Sequence, residues 1–597
     1  MEHRPKQYLN IPTQTLTTLS FCDPSARQLK HWVGNLPMAN IGETARQLYH
    51  AVIEFNQLSV NDASRLELMD LVRGPVHYVC QSLNQRYLNQ GVVLDDQQRK
   101  VANLAQALQT HLATGYKIVV QHLLEQGQLK QRPLMAKAVH RTLCDLLPSI
   151  LRSYQLYIPT PAGLWREVHQ LYQVASAFNL HKVAIEDPTD NCRLSVQEVY
   201  LKAILLGASQ PNQLLQRELT DAYQAMNAWV GQLDIDDVAD EKSVLVINPE
   251  ADHPPQYSYL IKPSSYGDYL GINTLPLVRL LHTELKAAYS ANADSQRRAA
   301  ITIPNNFGSA LLEHLVQSWG GMKQRSFSRT QASGKVSMTV GLTGTHFHMS
   351  GGIGFYSQLY GQSASTENPF IGVVSSRFSA TETQAVRSQQ DVWDQSFDAG
   401  QRRMADPEED SIEFPQEATE DHPMYSGQMV NVSPRGYCIQ WNEKPATNLK
   451  TGEVVAIKEE KLQHWNLGVV RWLRQSKEAG TQMGVELIAP NSRPCGIRQL
   501  HKTGAHGDYL RALFIPEIRA IGQDASVLTP RLPFQVGNKV TINMGGNETK
   551  YQLTKRILST GILSQFQIRK VAQRPLEPER PERGSGDDSF ESLWRQL

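Results

Sequence analysis

Much that would assign a chemistry is missing from this chain. Its six cysteines (Cys22, Cys80, Cys144, Cys192, Cys438, Cys495) are scattered without a Cys-x-x-Cys pair. Neither a zinc ribbon nor a disulfide framework follows from them, and a reducing compartment, the cytoplasm, is expected. Charge is nearly balanced, with Lys+Arg 59 against Asp+Glu 58 and a formal net charge of +1. No long basic block is present, so a nucleic-acid footprint is not indicated. No run of eighteen apolar residues occurs, so no membrane span is expected. The start, Met1-Glu2-His3-Arg4-Pro5-Lys6, lacks the apolar core of a signal peptide. Nucleophile elbow, His-Glu-x-x-His, P-loop and dinucleotide glycine fingerprint are all missing, and the chain is not expected to be an enzyme or to carry a cofactor or metal.

What is present divides into segments, as expected for 597 residues. Residues 1–28 are polar and rich in Pro, Thr and Gln, an extended lead-in. From 29 to 237 the spacing is helical. Asn40 with Glu43 caps a helix through Leu48, Val52 and Phe55, and Asp62 opens a second that Pro75 is expected to interrupt or kink. Asp95-Asp96 heads a long one with Val101, Leu104, Leu108, Leu112, Tyr116, Val119 and Leu123 in one stripe. Pro133 to Tyr157, Pro161 to Phe178, Ser195 to Leu205 and Asn212 to Leu233 complete an all-α array, whose grooves suit a protein partner. Residues 242–322 read as a small α/β segment, with strands at Ser243–Ile247 and Ala299–Ile303 and helices at Leu275–Ala291 and Gly308–Trp319.

The most informative stretch is Asn431-Val432-Ser433-Pro434-Arg435-Gly436, read as a polar turn that feeds the alternation Tyr437, Ile439, Trp441. Strand-like runs follow at Gly452–Ile457, Leu467–Leu473 and Met483–Ile488, the spacing of a small antiparallel barrel. Here the chain resembles the PilZ family, β-barrels that bind the bacterial second messenger cyclic di-GMP. Asn431-x-Ser433-x-x-Gly436 matches the family's Asp/Asn-x-Ser-x-x-Gly. The family's Arg-x-x-x-Arg element is not immediately upstream, where only the doublet Arg402-Arg403 stands. It lies further back, as Arg325-Ser326-Phe327-Ser328-Arg329 before the strand Lys335–Leu342. The resemblance implies a ligand site made of Arg325, Arg329, Asn431, Ser433 and Gly436.

The chemistry is coherent. An arginine fork gives two parallel donors to a phosphate or to guanine O6/N7, and its flat face stacks on a base. Asn carbonyl and Ser hydroxyl suit guanine's other edge groups, and Gly lets backbone approach closely. The resemblance places this barrel at 323–492, with an insertion at 352–424. The insertion ends in an acidic run (Asp406, Glu408, Glu409, Asp410, Glu413, Glu417, Glu420, Asp421) that reads as a solvated spacer or as a competitor for the two arginines. His346-Phe347-His348, just past the strand, is read as a surface or core pair, with a shared metal the lesser alternative.

Residues 493–572 repeat short strands at Arg511–Pro516, Ala525–Leu528, Val536–Ile542, Tyr551–Leu553 and Phe566–Ile568, with Asn543-Met544-Gly545-Gly546 as a hairpin loop. A second small β-barrel is expected. Residues 573–597 form a flexible tail ending in Phe590, Leu593, Trp594 and Leu597 at helical spacing. The whole is expected to be a multidomain α+β protein: an N-terminal all-α helical array, a small α/β segment, a PilZ-like antiparallel β-barrel and a second C-terminal β-barrel. The function implied by the resemblance is a cytoplasmic bacterial receptor that relays cyclic di-GMP binding to protein partners through the helical domain. A scaffold with a degenerate, ligand-free barrel is the alternative.

Overall fold

The computed structural model describes residues 9–127, 131–289, 301–305, 307–321, 329–360, 422–460, 462, 464–476, 478–500, 507–518 and 522–571. The acidic run, the C-terminal tail and Arg325 lie outside them.

The N-terminal array contains α1 (Ala26–Gly34), α2 (Ile41–Gln57), α3 (Asp62–Asn84), α4 (Asp96–Gln126), α5 (Arg132–Gln155), α6 (Leu164–Ala177), α7 (Val196–Ala208) and α8 (Gln216–Trp229). Their starts follow local chemistry. Asn40 and Asn61 each accept a first-turn N–H, and Asp95 with Gln98 and Ser195 with Glu198 form capping boxes. Helix α4 stops at Gly127, whose left-handed φ of 60° ends the ladder. Leu108, Leu112, Tyr116, Val119 and Leu123 of its stripe are buried. The expected interruption at Pro75 does not occur: α3 is continuous from Asp62 to Asn84. Val72, Val76 and Val79 around the proline are fully buried, and that packing offsets the one lost bond.

A hairpin that helical spacing did not reveal, β1 (Ala184–Asp187) and β2 (Cys192–Ser195), lies between α6 and α7. It carries Asp187 into the helical core. There Arg73 donates Nη1 to Asp187 Oδ1 at 2.6 Å and Nε to Asp145 Oδ1 at 2.9 Å. Arg141 reaches Asp187 Oδ2 at 3.1 Å, and His77 bonds Asp145 at 2.8 Å. Burial opposes ionisation of Asp187, but the two guanidiniums hold its pKa down at about 2.

The next segment is β3 (Leu245–Ile247) between β4 (Gln256–Tyr257) and β5 (Leu270–Ile272), followed by α9 (Leu275–Tyr289) and α10 (Ser309–Trp319). The strand expected at Ala299–Ile303 is not found at its described part, where Ile301 to Ile303 is irregular. Leu245, Ile272, Leu281, Leu315 and Trp319 share one hydrophobic core with the helical array. Trp319 donates Nε1 to the Leu205 carbonyl at 3.0 Å, which fixes α10 there.

The first barrel comprises β6 (Thr330–Gln331), β7 (Lys335–Val340), β8 (Tyr425–Ser433), β9 (Gly436–Trp441), β10 (Val454–Glu459), β11 (Asn466–Ser476) and β12 (Gly480–Pro490). Strand order β8-β7-β10-β11-β12-β9 closes through a β8–β9 pairing, and β6 pairs with β8 on the edge that β7 takes further along. Met338, Ile439, Val455, Val470 and Val485 fill it. Between β7 and β8 come α11 (Leu342–Met349) and α12 (Phe355–Tyr360). His346 and His348 therefore sit on a helix, not a strand. His346 is buried against Phe355 (centroids 5.2 Å apart), and burial, aided by Arg511, pushes its pKa down to about 4. His348 bonds the His422 carbonyl at 2.8 Å.

The second barrel closes as β13 (Arg493–Gln499), β14 (Leu510–Ile515), β15 (Ser526–Pro530), β18 (Leu563–Lys570), β17 (Asn547–Ser559) and β16 (Lys539–Met544). Its expected hairpin loop turns at Gly545 and Gly546, both at positive φ. The barrels share a seam: Val454, Leu467 and Ala489 of the first meet Leu513, Ile515, Leu528 and Leu563 of the second, with Leu342 and Met349 of α11 between.

The helical array plugs the first barrel's lower end. Tyr157, at φ 56°, and Val92 enter the barrel's core cluster. The Gln475 N–H donates to the Tyr157 carbonyl at 2.7 Å, and its side-chain amide donates to the Val92 carbonyl at 2.6 Å.

Arg73→Ala takes the shared guanidinium from two buried carboxylates, leaving Asp187 to Arg141 and Asp145 to His77, and should cost about 3–5 kcal/mol, read as a lower midpoint in thermal or urea denaturation. Because the Asp187 pKa is depressed, its share of stability is present above the unfolded carboxylate value of about 3.9 and is lost as pH falls from there toward 2. An unchanged midpoint in the variant would contradict this account of the network.

Candidate functional site

Strand β8 holds the polar motif, and its outward face follows from alternation. Val432 packs on the barrel core, so Asn431 and Ser433 point away from it. The sequence reading placed Asn431 and Ser433 in a turn; they are instead the last residues of a nine-residue strand. The turn itself is Pro434-Arg435, and Ser433 pairs with Gly436 across it. The Ser433 hydroxyl donates to the Gly436 carbonyl at 3.4 Å, closing the loop.

Gly436 has a structural duty that the motif alone does not express. A Cβ there would stand 2.0 Å from the Val485 carbonyl oxygen. The Leu487 N–H donates to the Arg435 carbonyl at 2.8 Å, which pulls the turn onto β12. Only glycine permits that approach.

The arginine arm meets this hairpin through β6. Thr330 pairs with Val432 and Gln331 with Asn431. One further step along the same antiparallel register brings the exposed Arg329 level with Ser433. The Arg329 charge is felt at Cys438, where burial raises the thiol pKa and the guanidinium partly opposes it. Cys438 pairs with Asn431, so Arg329, Asn431, Ser433 and Gly436 occupy one outer surface despite the residues between the two motifs.

Three neighbours on this surface were not picked out as site residues. Trp472 lies over Gly484, where a Cβ would come within 1.8 Å of the indole nitrogen. Gly484 pairs with Cys438 and Glu486 pairs with Gly436, so the indole stands beside the polar hairpin. Arg471 is ion-paired with Glu486. The signal that would have found them is the pairing of Leu467–Leu473 with Met483–Ile488, and a bulge between Val470 and Trp472 hides it from simple alternation. On α10, burial, with the Arg471 charge added, lowers the His314 pKa.

Among the described residues one cluster of metal-ligand types occurs, His140, Cys144 and Asp187, all buried in the helical array. Asp187 is already committed to Arg73 and Arg141 there, and burial beside Arg141 holds the His140 pKa at about 4. The cluster is part of the buried charge network.

A six-stranded barrel with a polar hairpin and a flanking arginine on one outer face defines a PilZ-type receptor module. Comparison with known proteins agrees. Residues 244–494 match the family described as "Cyclic-di-GMP receptor FimW, middle PilZ domain", residues 27–240 its N-terminal domain, and residues 495–571 the "FimW C-terminal beta-barrel domain". The chain is 37% identical to the cyclic-di-GMP receptor FimW of Pseudomonas aeruginosa across 99% of both chains. It belongs to the FimW family. No solved structure matches it.

Gly436→Ala should destabilise the hairpin by about 1–3 kcal/mol with no ligand present, because the new methyl meets backbone rather than a movable side chain. Thermal denaturation of the apo protein checks this. An alanine variant as stable as wild type would return the glycine to a ligand-only role.

Proposed function

We propose that this chain is a cyclic di-GMP receptor that takes its ligand on the outer face of the first barrel. The carrying observation is the β6–β8 register, which sets Arg329 beside Ser433 and Asn431. In this reading Arg325 and Arg329 grip phosphate oxygens or guanine edges as planar forks. The Asn431 amide and Ser433 hydroxyl bond the guanine, and Gly436 keeps the backbone low enough for the ligand to lie flat. Trp472 offers an aromatic plane at the edge of the same surface, suited to a base.

No step in this function is catalytic. The output is a change in protein contacts, and the chain path supports a route for it. The arm is the direct continuation of α10, which is anchored in the helical array by Trp319. Ligand that orders Arg325 and Arg329 against β8 therefore bears on α10 and its neighbours. A partner protein would read that change from the helical array. Among the described residues no helix is long and apolar enough to cross a membrane.

Isothermal titration of cyclic di-GMP into the full chain tests the reading. Micromolar or tighter binding is expected for wild type. Arg325→Ala and Arg329→Ala should each weaken it by about tenfold or more, the scale of a lost charge-assisted contact. A wild-type protein that binds no dinucleotide at micromolar concentration would leave the scaffold reading standing.

A further inference from the structure

We infer that Arg471 is a third guanidinium of the ligand face, held in reserve by Glu486 until an anionic ligand displaces the carboxylate. The inference rests on the receptor reading above and adds an affinity-setting pair to it.

Position comes first. Glu486 is the cross-strand partner of Gly436, and Gly436 is the partner of Ser433. Two strand spacings separate Glu486 from Ser433, about 10 Å, which a cyclic dinucleotide spans. Glu486 faces outward, since Val485 before it and Leu487 after it pack on the barrel core. Arg471 sits at the bulge in β11, between Val470, which fills the barrel, and Trp472, which lies over Gly484 on the outside. Bulges re-aim a side chain in this way.

Chemistry comes second. A lone carboxylate beside the polar hairpin would repel a doubly anionic ligand, and Arg471 neutralises it. The two side chains are 39% and 38% exposed, so the ion pair is held in water rather than buried. Pairs of that kind contribute little to stability, and exchanging one partner costs correspondingly little. A phosphate offers the guanidinium the same two-oxygen edge as the carboxylate. When phosphate takes the fork, Glu486 turns to solvent. The cost of parting Glu486 from Arg471 is subtracted from ligand affinity and sets it.

Titration calorimetry on the full chain with cyclic di-GMP tests the inference, with thermal denaturation confirming that the variants fold. Glu486→Gln should bind about fivefold tighter than wild type, the effect of removing one nearby like charge in a screened setting. Arg471→Ala should bind about tenfold weaker. Arg471→Lys should recover only part of that loss, because an ammonium lacks the planar fork. The double variant Glu486→Gln/Arg471→Ala should bind tighter than Arg471→Ala and weaker than Glu486→Gln, since the single arginine variant leaves a lone carboxylate that repels the ligand. Unchanged affinity in Glu486→Gln overturns the inference. So does weaker affinity, which would make Glu486 an acceptor for guanine N–H groups. Either result with tight wild-type binding leaves the receptor reading intact, whereas a wild type that binds nothing fails both.

Discussion

Backbone pairing along β8 is the constraint on which the rest of this structure depends. One end of that strand pairs with β7, the other end with the two-residue β6, and its whole length runs beside β9. A strand so held has one register, since a slip of one residue would send Val432 outward and Asn431 into the core. The long excursion between β7 and β8 is tolerated because the cost of closing a loop rises slowly with its length. Once β8 returns to its place, the arginine at the end of the arm and the polar hairpin must share a surface. No side-chain contact between them is needed to bring this about.

The barrel carrying that surface is embedded rather than tethered. Its lower end is plugged by Tyr157 and Val92 of the helical array, and one flank is sealed by the hydrophobic seam with the second barrel. A further contact joins all three parts. The Thr560 hydroxyl donates to the Gly452 carbonyl at 3.0 Å, while neighbouring Gly561 lies against Leu215 of the helical array. A small shift of the β8–β9 hairpin therefore has packed neighbours to push against. Close-packed interiors transmit such displacements instead of absorbing them.

Much of this was legible beforehand, for identifiable reasons. Asn40, Asp95 and Ser195 announced helix starts because capping is a local hydrogen bond between neighbours in sequence. Leu467–Leu473 and Met483–Ile488 read as strands because β-branched runs with few polar breaks have few other uses. Other features depend on distant packing. Pro75 lies within α3 because the core around it compensates. The pair His346 and His348 forms part of a helix wedged between two barrels, which a short stretch of sequence cannot announce. The hairpin β1–β2 is held by buried ion pairs whose partners lie far away in the chain, so no local pattern foretold it.

The sequence by itself determined most of the long helices, the runs of barrel strands and the chemical character of the two motifs: forked cations in one stretch, amide, hydroxyl and glycine in another. These follow from residue type and from spacing over a few positions, which is the range on which propensity and capping act. Only the tertiary structure decided that the chain just after Arg329 pairs with β8, that Gly436 is needed by the backbone of β12, and that Trp472, Arg471 and Glu486 lie beside the polar hairpin. The physical reason is that strand register and bulges are set by pairing between segments remote in sequence. A residue's outward or inward direction exists only once that pairing has been made.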